Sequence, residues 1–60
     1  MLGKPARAVS RIDSRTGKVF VEGEYWNAVS EAPIESGQLA EIVAIEGLTL
    51  KVKPKQATLT

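Results

Sequence analysis

The sequence lacks cysteine and histidine altogether, and it holds only one tryptophan, one tyrosine and one phenylalanine. Without cysteine no disulfide can form, and without cysteine or histidine the ligands that zinc prefers are missing. Histidine is also the commonest general base, so nothing here activates a serine or threonine for nucleophilic hydrolysis. We therefore predict no catalytic residue, no metal site and no cofactor, which favours a binding or interaction module over an enzyme.

Long apolar runs are missing as well. No stretch approaches the roughly 20 apolar residues that a membrane-spanning helix requires, and no apolar segment follows Met1 as in a signal peptide. The 60 residues carry a net charge of +1, which gives no general attraction to nucleic acid or membrane. We predict one small domain over residues 6–54, with an N-terminal linker at 1–5 and a flexible tail at 55–60.

Glycine and proline recur at intervals that are typical of short strands joined by turns. We predict five strands, at residues 6–12, 18–21, 24–29, 38–46 and 49–53. Short antiparallel strands with one longer connection, between the third and the fourth, indicate an all-β fold. The predicted architecture is a small five-stranded antiparallel barrel, an OB-fold, with an SH3-like barrel as the alternative.

A two-residue loop at 22–23 fixes the register of the second and third strands, because its glycine supplies the positive φ that such loops need. This register places Phe20 opposite Tyr25 and Val19 opposite Trp26. Side chains alternate across a strand, so the two pairs lie on opposite faces. We predict that the face of Val19 and Trp26, shared with Val21 and Ala28, is the core, and that Trp26 is its largest contribution.

The fourth strand breaks strict alternation, since Ala40 and Ile42 share one face while Val43 and Ile45 share the other. Both pairs can face inward only if a β-bulge lies near Ile42 and Val43. Bulges of this kind help a short sheet to close into a barrel, so we expect one at this point.

The outward side of the second and third strands is the candidate interaction face, which consists of Lys18, Phe20, Tyr25 and Asn27. In an OB-fold these strands form the usual ligand face, where opposed aromatic rings would stack bases. Glu22 and Glu24 lie close by, however, and repel a phosphate backbone. We rank support of the hairpin first, protein contact second and nucleic acid third.

Charge is unevenly distributed along the chain. Six glutamates and no lysine or arginine lie between Val19 and Leu50, and the basic residues cluster before and after. Lys4, Arg7 and Arg11 are candidate membrane-proximal residues, because lysine and arginine near an anionic lipid surface contribute about 1 kcal/mol each. A solvated surface with no preferred partner is the alternative.

Several short motifs resemble, in their order and spacing, the C-terminal soluble domain of the NfeD family over Gly3 to Pro54. They are GKVFV at 17–21, GEYWNA at 23–28, PIESG at 33–37 and VAIEGLTLKV at 43–52. The resemblance implies a five-stranded OB-fold barrel and a parent membrane protein whose transmembrane helices lie upstream. Long members also carry a Clp-like serine protease domain, and none of its catalytic residues maps onto this sequence.

Members of the NfeD family are typically encoded beside stomatin-like or flotillin-like proteins and are associated with regulation of membrane protease activity. The resemblance therefore implies a non-catalytic protein-interaction or assembly domain that binds a stomatin-like or flotillin-like membrane protein, or copies of itself. Lys4, Arg7 and Arg11 would follow a membrane helix, where positive residues favour the cytoplasmic side. A single-stranded nucleic-acid-binding OB domain and a purely structural domain remain open as alternatives.

Overall fold

Five β-strands account for most of residues 2–55, the part of the chain that the computed structural model describes. They are β1 Pro5–Ala8, β2 Lys18–Val21, β3 Glu24–Val29, β4 Leu39–Glu46 and β5 Thr49–Pro54. The strands close into a barrel in the order β1-β2-β3-β5-β4, and β4 pairs back onto β1. The predicted all-β barrel is confirmed. The expected tail at 55–60 lies, apart from Lys55, outside the described residues.

One pairing departs from the antiparallel expectation. β3 and β5 run parallel, with Ala28 opposite Leu50, whereas each of the other neighbouring pairs is antiparallel. The reason is topological: β4 returns beside β1 and not beside β3, so β5 fills the gap between β3 and β4. This crossing of the chain is the Greek-key closure of an OB-fold.

The β2–β3 hairpin has the register that the sequence predicts, from Lys18 opposite Asn27 to Val21 opposite Glu24. Both loop residues have positive φ, 52° at Glu22 and 82° at Gly23. Two left-handed residues in a row make a type I′ turn, whose twist matches that of the strands it joins. The two loop residues therefore define the turn locally. Gly23 adopts its positive φ without strain, whereas Glu22 is strained there.

The first strand is shorter than predicted, because β1 ends at Ala8. Ile12, which we placed in the strand, instead forms an isolated bridge with Ile34 in the connection between β3 and β4. The two residues exchange both backbone hydrogen bonds, at 2.8 and 2.9 Å, and both side chains are fully buried. The bridge closes one end of the barrel with two residues from outside the strands.

Residues 3–5, which we expected in a linker, are part of the barrel. Pro5 begins β1 opposite Glu41. The backbone N–H of Gly3 donates to the carbonyl of Ile42 at 2.8 Å, and the N–H of Ile42 donates to the carbonyl of Lys4 at 3.2 Å. The ladder between β1 and β4 thus continues past the start of the strand, to Gly3.

The expected bulge is present in β4. Ile42 lies opposite Val52 and Ala44 lies opposite Lys51, which leaves Val43 as the extra residue. The bulge does not bring Val43 into the core, since its side chain is 47% exposed. Ile45 lies opposite the buried Leu50 and so faces the same side of the sheet, but it is also half-exposed.

Small and branched side chains fill the barrel. The buried core residues are Ala6, Ala8, Ile12, Val19, Val21, Ala28, Ile34, Ala40, Ile42, Leu50 and Val52. The core-facing side predicted for the hairpin is confirmed, but Trp26 is only partly buried and packs against the others from one side. Full burial of a branched aliphatic side chain contributes about 1.5–3 kcal/mol. The most deeply buried large side chains are instead Ile12, Ile34, Ile42, Leu50 and Val19.

Candidate functional site

Phe20 and Tyr25 form an aromatic pair on the outside of the barrel. They lie opposite each other in the β2–β3 ladder, with ring centroids 5.0 Å apart and ring planes inclined by 60°. Such tilted pairs contribute about 0.5–1.5 kcal/mol beyond the area they bury. Phe20 is nevertheless 38% exposed and Tyr25 is 67% exposed. The pair therefore supports the hairpin and still presents two aromatic surfaces to a partner.

Lys18 and Asn27 complete the candidate interaction face. They lie opposite each other two residues along the same strands, and both are exposed. Since side chains two apart on a strand point the same way, they flank the aromatic pair on the outer surface. The structure thus brings all four predicted residues together on one side of the sheet.

The outer surface continues beyond the hairpin, which the sequence alone did not reveal. Arg7 of β1 lies opposite Phe20, and Leu39 of β4 lies opposite Arg7. The result is an outer row of four exposed side chains across four adjacent strands: Leu39, Arg7, Phe20 and Tyr25. Local alternation indicates that Arg7 points outward, but only the pairing of β1 with β4, distant in sequence, places Leu39 beside it.

The candidate membrane-proximal residues do not form one cluster. Lys4 donates a hydrogen bond to the carboxylate of Glu22 at the β2–β3 turn, and both groups are about half-exposed. Arg11 Nε lies 3.4 Å from Glu35 Oε2 at the opposite end of the barrel, where the connections after β1 and β3 meet. Arg7 lies between them in the outer row. Two of the three cations are therefore partnered within the domain, toward opposite ends of β2.

Two exposed carboxyls have a pKa below the ordinary value. The hydrogen bond and charge of Lys4 lower the pKa of Glu22. The backbone N–H groups of Arg15 and Thr16 lower the pKa of Asp13, since they donate to its Oδ1 at 2.8 and 2.9 Å. A general acid needs a carboxyl whose pKa is raised, so neither carboxyl has the character of one.

No group of three or more acidic or other metal-ligating side chains lies close enough to hold a metal ion anywhere in residues 2–55. Over the same part of the chain, we find no helix with the length and apolar character needed to cross a membrane.

A shallow groove of about 350 Å³ adjoins the candidate interaction face. β5 pairs with β3 only from Asn27 onward, so the earlier half of β3, residues 24–26, has no neighbour on that side. Leu48 in the β4–β5 turn forms the opposite wall and is 80% exposed. The half-buried Trp26 lines the groove as well, and its indole Nε1 is buried without a hydrogen-bond partner in the described residues.

A second groove, of about 480 Å³, lies along β5. Val43 of the bulge, Val29 at the end of β3 and Lys53 are among its lining residues. None of the four residues of the candidate interaction face borders it. The two grooves are thus separate surfaces, and the second one offers control positions for tests of the first.

Comparison with known proteins places the barrel in a family. Residues 1–54 match the model of the NfeD-like C-terminal, partner-binding domain. No curated protein matches the sequence.

Two solved structures are similar over nearly their whole length. The C-terminal domain of a stomatin operon partner protein from Pyrococcus horikoshii is 32% identical, with a TM-score of 0.85, and the match covers 95% of this chain and 91% of that one. The soluble domain of a membrane protein implicated in regulation of membrane protease activity, from Corynebacterium glutamicum, shares the fold. It is 24% identical, with a TM-score of 0.82, and the match covers 85% of this chain and 86% of that one. The chain therefore belongs to the family of NfeD-like C-terminal, partner-binding domains.

Proposed function

We propose that this chain is a non-catalytic assembly domain of an NfeD-like membrane protein, and that it binds a stomatin-like membrane protein through its candidate interaction face. The observation that carries the proposal is the exposed aromatic pair of Phe20 and Tyr25. The family's description as partner-binding supports an interaction role. The relative from Pyrococcus horikoshii is a stomatin operon partner, which supports the choice of partner.

The chemistry of the outer row suits a protein partner. Tyrosine, phenylalanine and arginine are enriched in protein interfaces, and tyrosine and arginine are enriched among the residues that dominate binding energy. Here Tyr25, Phe20 and Arg7 lie side by side on a rigid sheet. Because strand pairing fixes the backbone of this surface, little backbone freedom is lost on binding, and more of the contact energy appears as affinity.

The proposal includes a setting for the domain. An NfeD-like parent would hold the domain at the cytoplasmic face of a membrane, where partner binding would modulate membrane protease activity. The description of the Corynebacterium glutamicum relative supports this link. A flotillin-like protein or a second copy of the domain would be a different occupant of the same face, and each can be tested by the same assay.

The test is a binding titration of the domain with the purified soluble region of a stomatin-like protein encoded beside its gene. We expect Phe20→Ala and Tyr25→Ala each to weaken binding by about tenfold or more, as for interface residues of central importance. Val43→Ala serves as the control, because it removes an exposed apolar side chain that borders the second groove and not the candidate interaction face.

Equal affinity of the wild type and both aromatic variants would overturn the proposed surface. Failure of the wild type to bind, with self-association or flotillin binding in its place, would overturn the proposed partner.

A further inference from the structure

The cations of the barrel divide into two groups. Four of them are paired with glutamates on the surface: Lys4 with Glu22, Arg11 with Glu35, Lys51 with Glu46 and Lys53 with Glu41. Within residues 2–55, Arg7 and Lys18 are the strand cations that have no acidic partner. Both lie on the outer side of the sheet that carries Phe20 and Tyr25.

Arg7 lies between apolar cross-strand neighbours and has no carboxylate partner within residues 2–55. Its cross-strand neighbours are Leu39 on one side and Phe20 on the other. Its only side-chain hydrogen bond in the described chain is from Nη1 to the carbonyl of Gly37, at 3.5 Å, which is the outer limit for such a bond. A guanidinium has five N–H donors, so most of its donors remain available.

Lys18 occupies the next position along the same face. It lies opposite Asn27, and its carbonyl accepts a hydrogen bond from the N–H of Val9 at 3.0 Å. Val9 is exposed as well; it follows the end of β1, two residues after Arg7, so alternation places it on the same side as Arg7. Lys18 is thus a second free cation with an apolar neighbour.

The nearby glutamates do not neutralise this face. Glu22 is occupied by Lys4. Glu24 lies opposite the buried Val21, but it is exposed at the start of β3 and borders the same groove as Lys18. The sequence predicts that both glutamates repel an anion here. Lys4 offsets the charge of Glu22, and within residues 2–55 Glu24 forms no ion pair with Arg7 or Lys18, so both cations stay available to a partner's carboxylate.

We propose that the occupant of this face is an acidic amphipathic segment of the partner protein. Its carboxylates would pair with Arg7 and Lys18, and its apolar side chains would cover Leu39, Phe20 and Tyr25. Arginine pairs with carboxylate in a bidentate geometry, which gives direction as well as attraction. This inference rests on the proposed function and adds the chemistry that the partner must present.

The apolar side chains around the two cations favour a protein carboxylate over a phosphate as the ligand. Polyanions are held mainly by many cations acting together. Here two cations are interspersed with exposed apolar side chains, among them Leu39 and Val9, which a phosphate backbone or lipid headgroup would leave uncovered. Apolar groups beside a fixed carboxylate are instead what one face of an amphipathic protein segment supplies.

The test measures the affinity of the 60-residue domain for the soluble region of the stomatin-like protein. Arg7→Gln and Lys18→Gln are compared with Arg15→Gln, a matched control that removes the same charge from the turn at 13–16, away from the face. We expect Arg7→Gln and Lys18→Gln each to weaken binding about tenfold, as for hydrogen bonds to charged groups, and Arg15→Gln to change it less than about twofold. Added salt should weaken the wild type more than the double variant.

The outcomes separate the two proposals. If Phe20→Ala weakens binding while Arg7→Gln and Lys18→Gln do not, the interaction face stands and the acidic partner segment is overturned. If none of these variants changes the affinity, both proposals fail. If wild type binds vesicles of phosphatidylcholine with phosphatidylserine and Arg7→Gln abolishes this without affecting the protein partner, the cations serve anionic lipid and the inference is overturned.

Discussion

Arg7 lies directly opposite Phe20 across the β1–β2 ladder, and this pairing joins a free cation to the aromatic pair of the adjacent hairpin. The two residues are thirteen positions apart in sequence (Arg7 to Phe20) and belong to different parts of the predicted functional surface. The sequence alone assigns Phe20 to the interaction face and Arg7 to a membrane-proximal site. The barrel makes them neighbours, so a single surface unites a charge with apolar side chains.

The aromatic pair should contribute modestly to stability. In a double-mutant cycle of Phe20→Ala and Tyr25→Ala, we expect a coupling free energy of about 0.5–1 kcal/mol, because the rings contact each other while remaining exposed. Chemical denaturation of the four proteins measures it. A coupling near zero would show that the 5.0 Å contact does not support the hairpin.

Gly17 cannot accept a larger residue without displacing Ile12. A Cβ at Gly17 would lie 2.6 Å from Ile12 Cγ2 and 2.8 Å from its Cα, and the Cα cannot move aside as a flexible side chain can. We expect Gly17→Ala to lower the free energy of unfolding by about 1–3 kcal/mol, the usual range for overpacking. Urea denaturation is the measurement, with the exposed Ser14→Ala of the same connection as a control that should change stability by less than about 0.5 kcal/mol.

If Gly17→Ala is as stable as the wild type, the Ile12–Ile34 bridge must open at little cost in free energy. The Ile12 amide of the wild type should then show little protection from hydrogen exchange, because exchange reports how often that bridge opens.

Asp13 gives the domain a predicted acid sensitivity. Its folded-state pKa is below the ordinary value because the N–H groups of Arg15 and Thr16 donate to the ionised carboxylate. A carboxyl with a depressed folded pKa contributes stability that is present above its unfolded pKa and is lost as the pH falls through the folded pKa. We expect this loss from about pH 4 downward.

The measurement is the urea midpoint of wild type and Asp13→Asn as a function of pH. The amide oxygen of asparagine still accepts hydrogen bonds but does not titrate, so the variant should lose less stability than wild type on acidification. Glu31→Gln, which removes an exposed carboxyl from the connection after β3, is the control. Parallel pH profiles of wild type and Asp13→Asn would contradict the assignment.

Glu22 adopts a left-handed backbone, with φ of 52°, that asparagine tolerates better than glutamate. The exposed ion pair of Glu22 with Lys4 favours glutamate over asparagine at this position, although such pairs contribute little to stability. We therefore expect Glu22→Asn to raise the midpoint of thermal unfolding. A lower midpoint would show that the contact with Lys4 outweighs the backbone strain, and Lys4→Gln in both backgrounds would separate the two effects.

Local pattern was enough to predict the hairpin. The glycine of the 22–23 turn and the alternation on both sides fix the register, since a slip by one residue would turn Val19 and Trp26 outward. The bulge in β4 was predictable for the same reason, because two adjacent apolar residues, Ile42 and Val43, interrupt the alternation. Both features depend on residues that are close in sequence.

Closure of the barrel could not be predicted in this way. The parallel pairing of β3 with β5, the Ile12–Ile34 bridge and the continuation of β1 to Gly3 all join distant segments, and nothing in the local pattern selects them. The same limit applied to the site. Alternation correctly placed Phe20 and Tyr25 outside, but Leu39 joined them only through the pairing of β4 with β1.

The central claim is tested most directly by an NMR titration of the isotope-labelled domain with the soluble region of the stomatin-like protein. We predict that amide shift changes cluster at Phe20, Tyr25 and Arg7 and extend to Leu39, while the second groove around Val43 is unaffected. Changes confined to the second groove, or none at saturating partner concentration, would contradict the account.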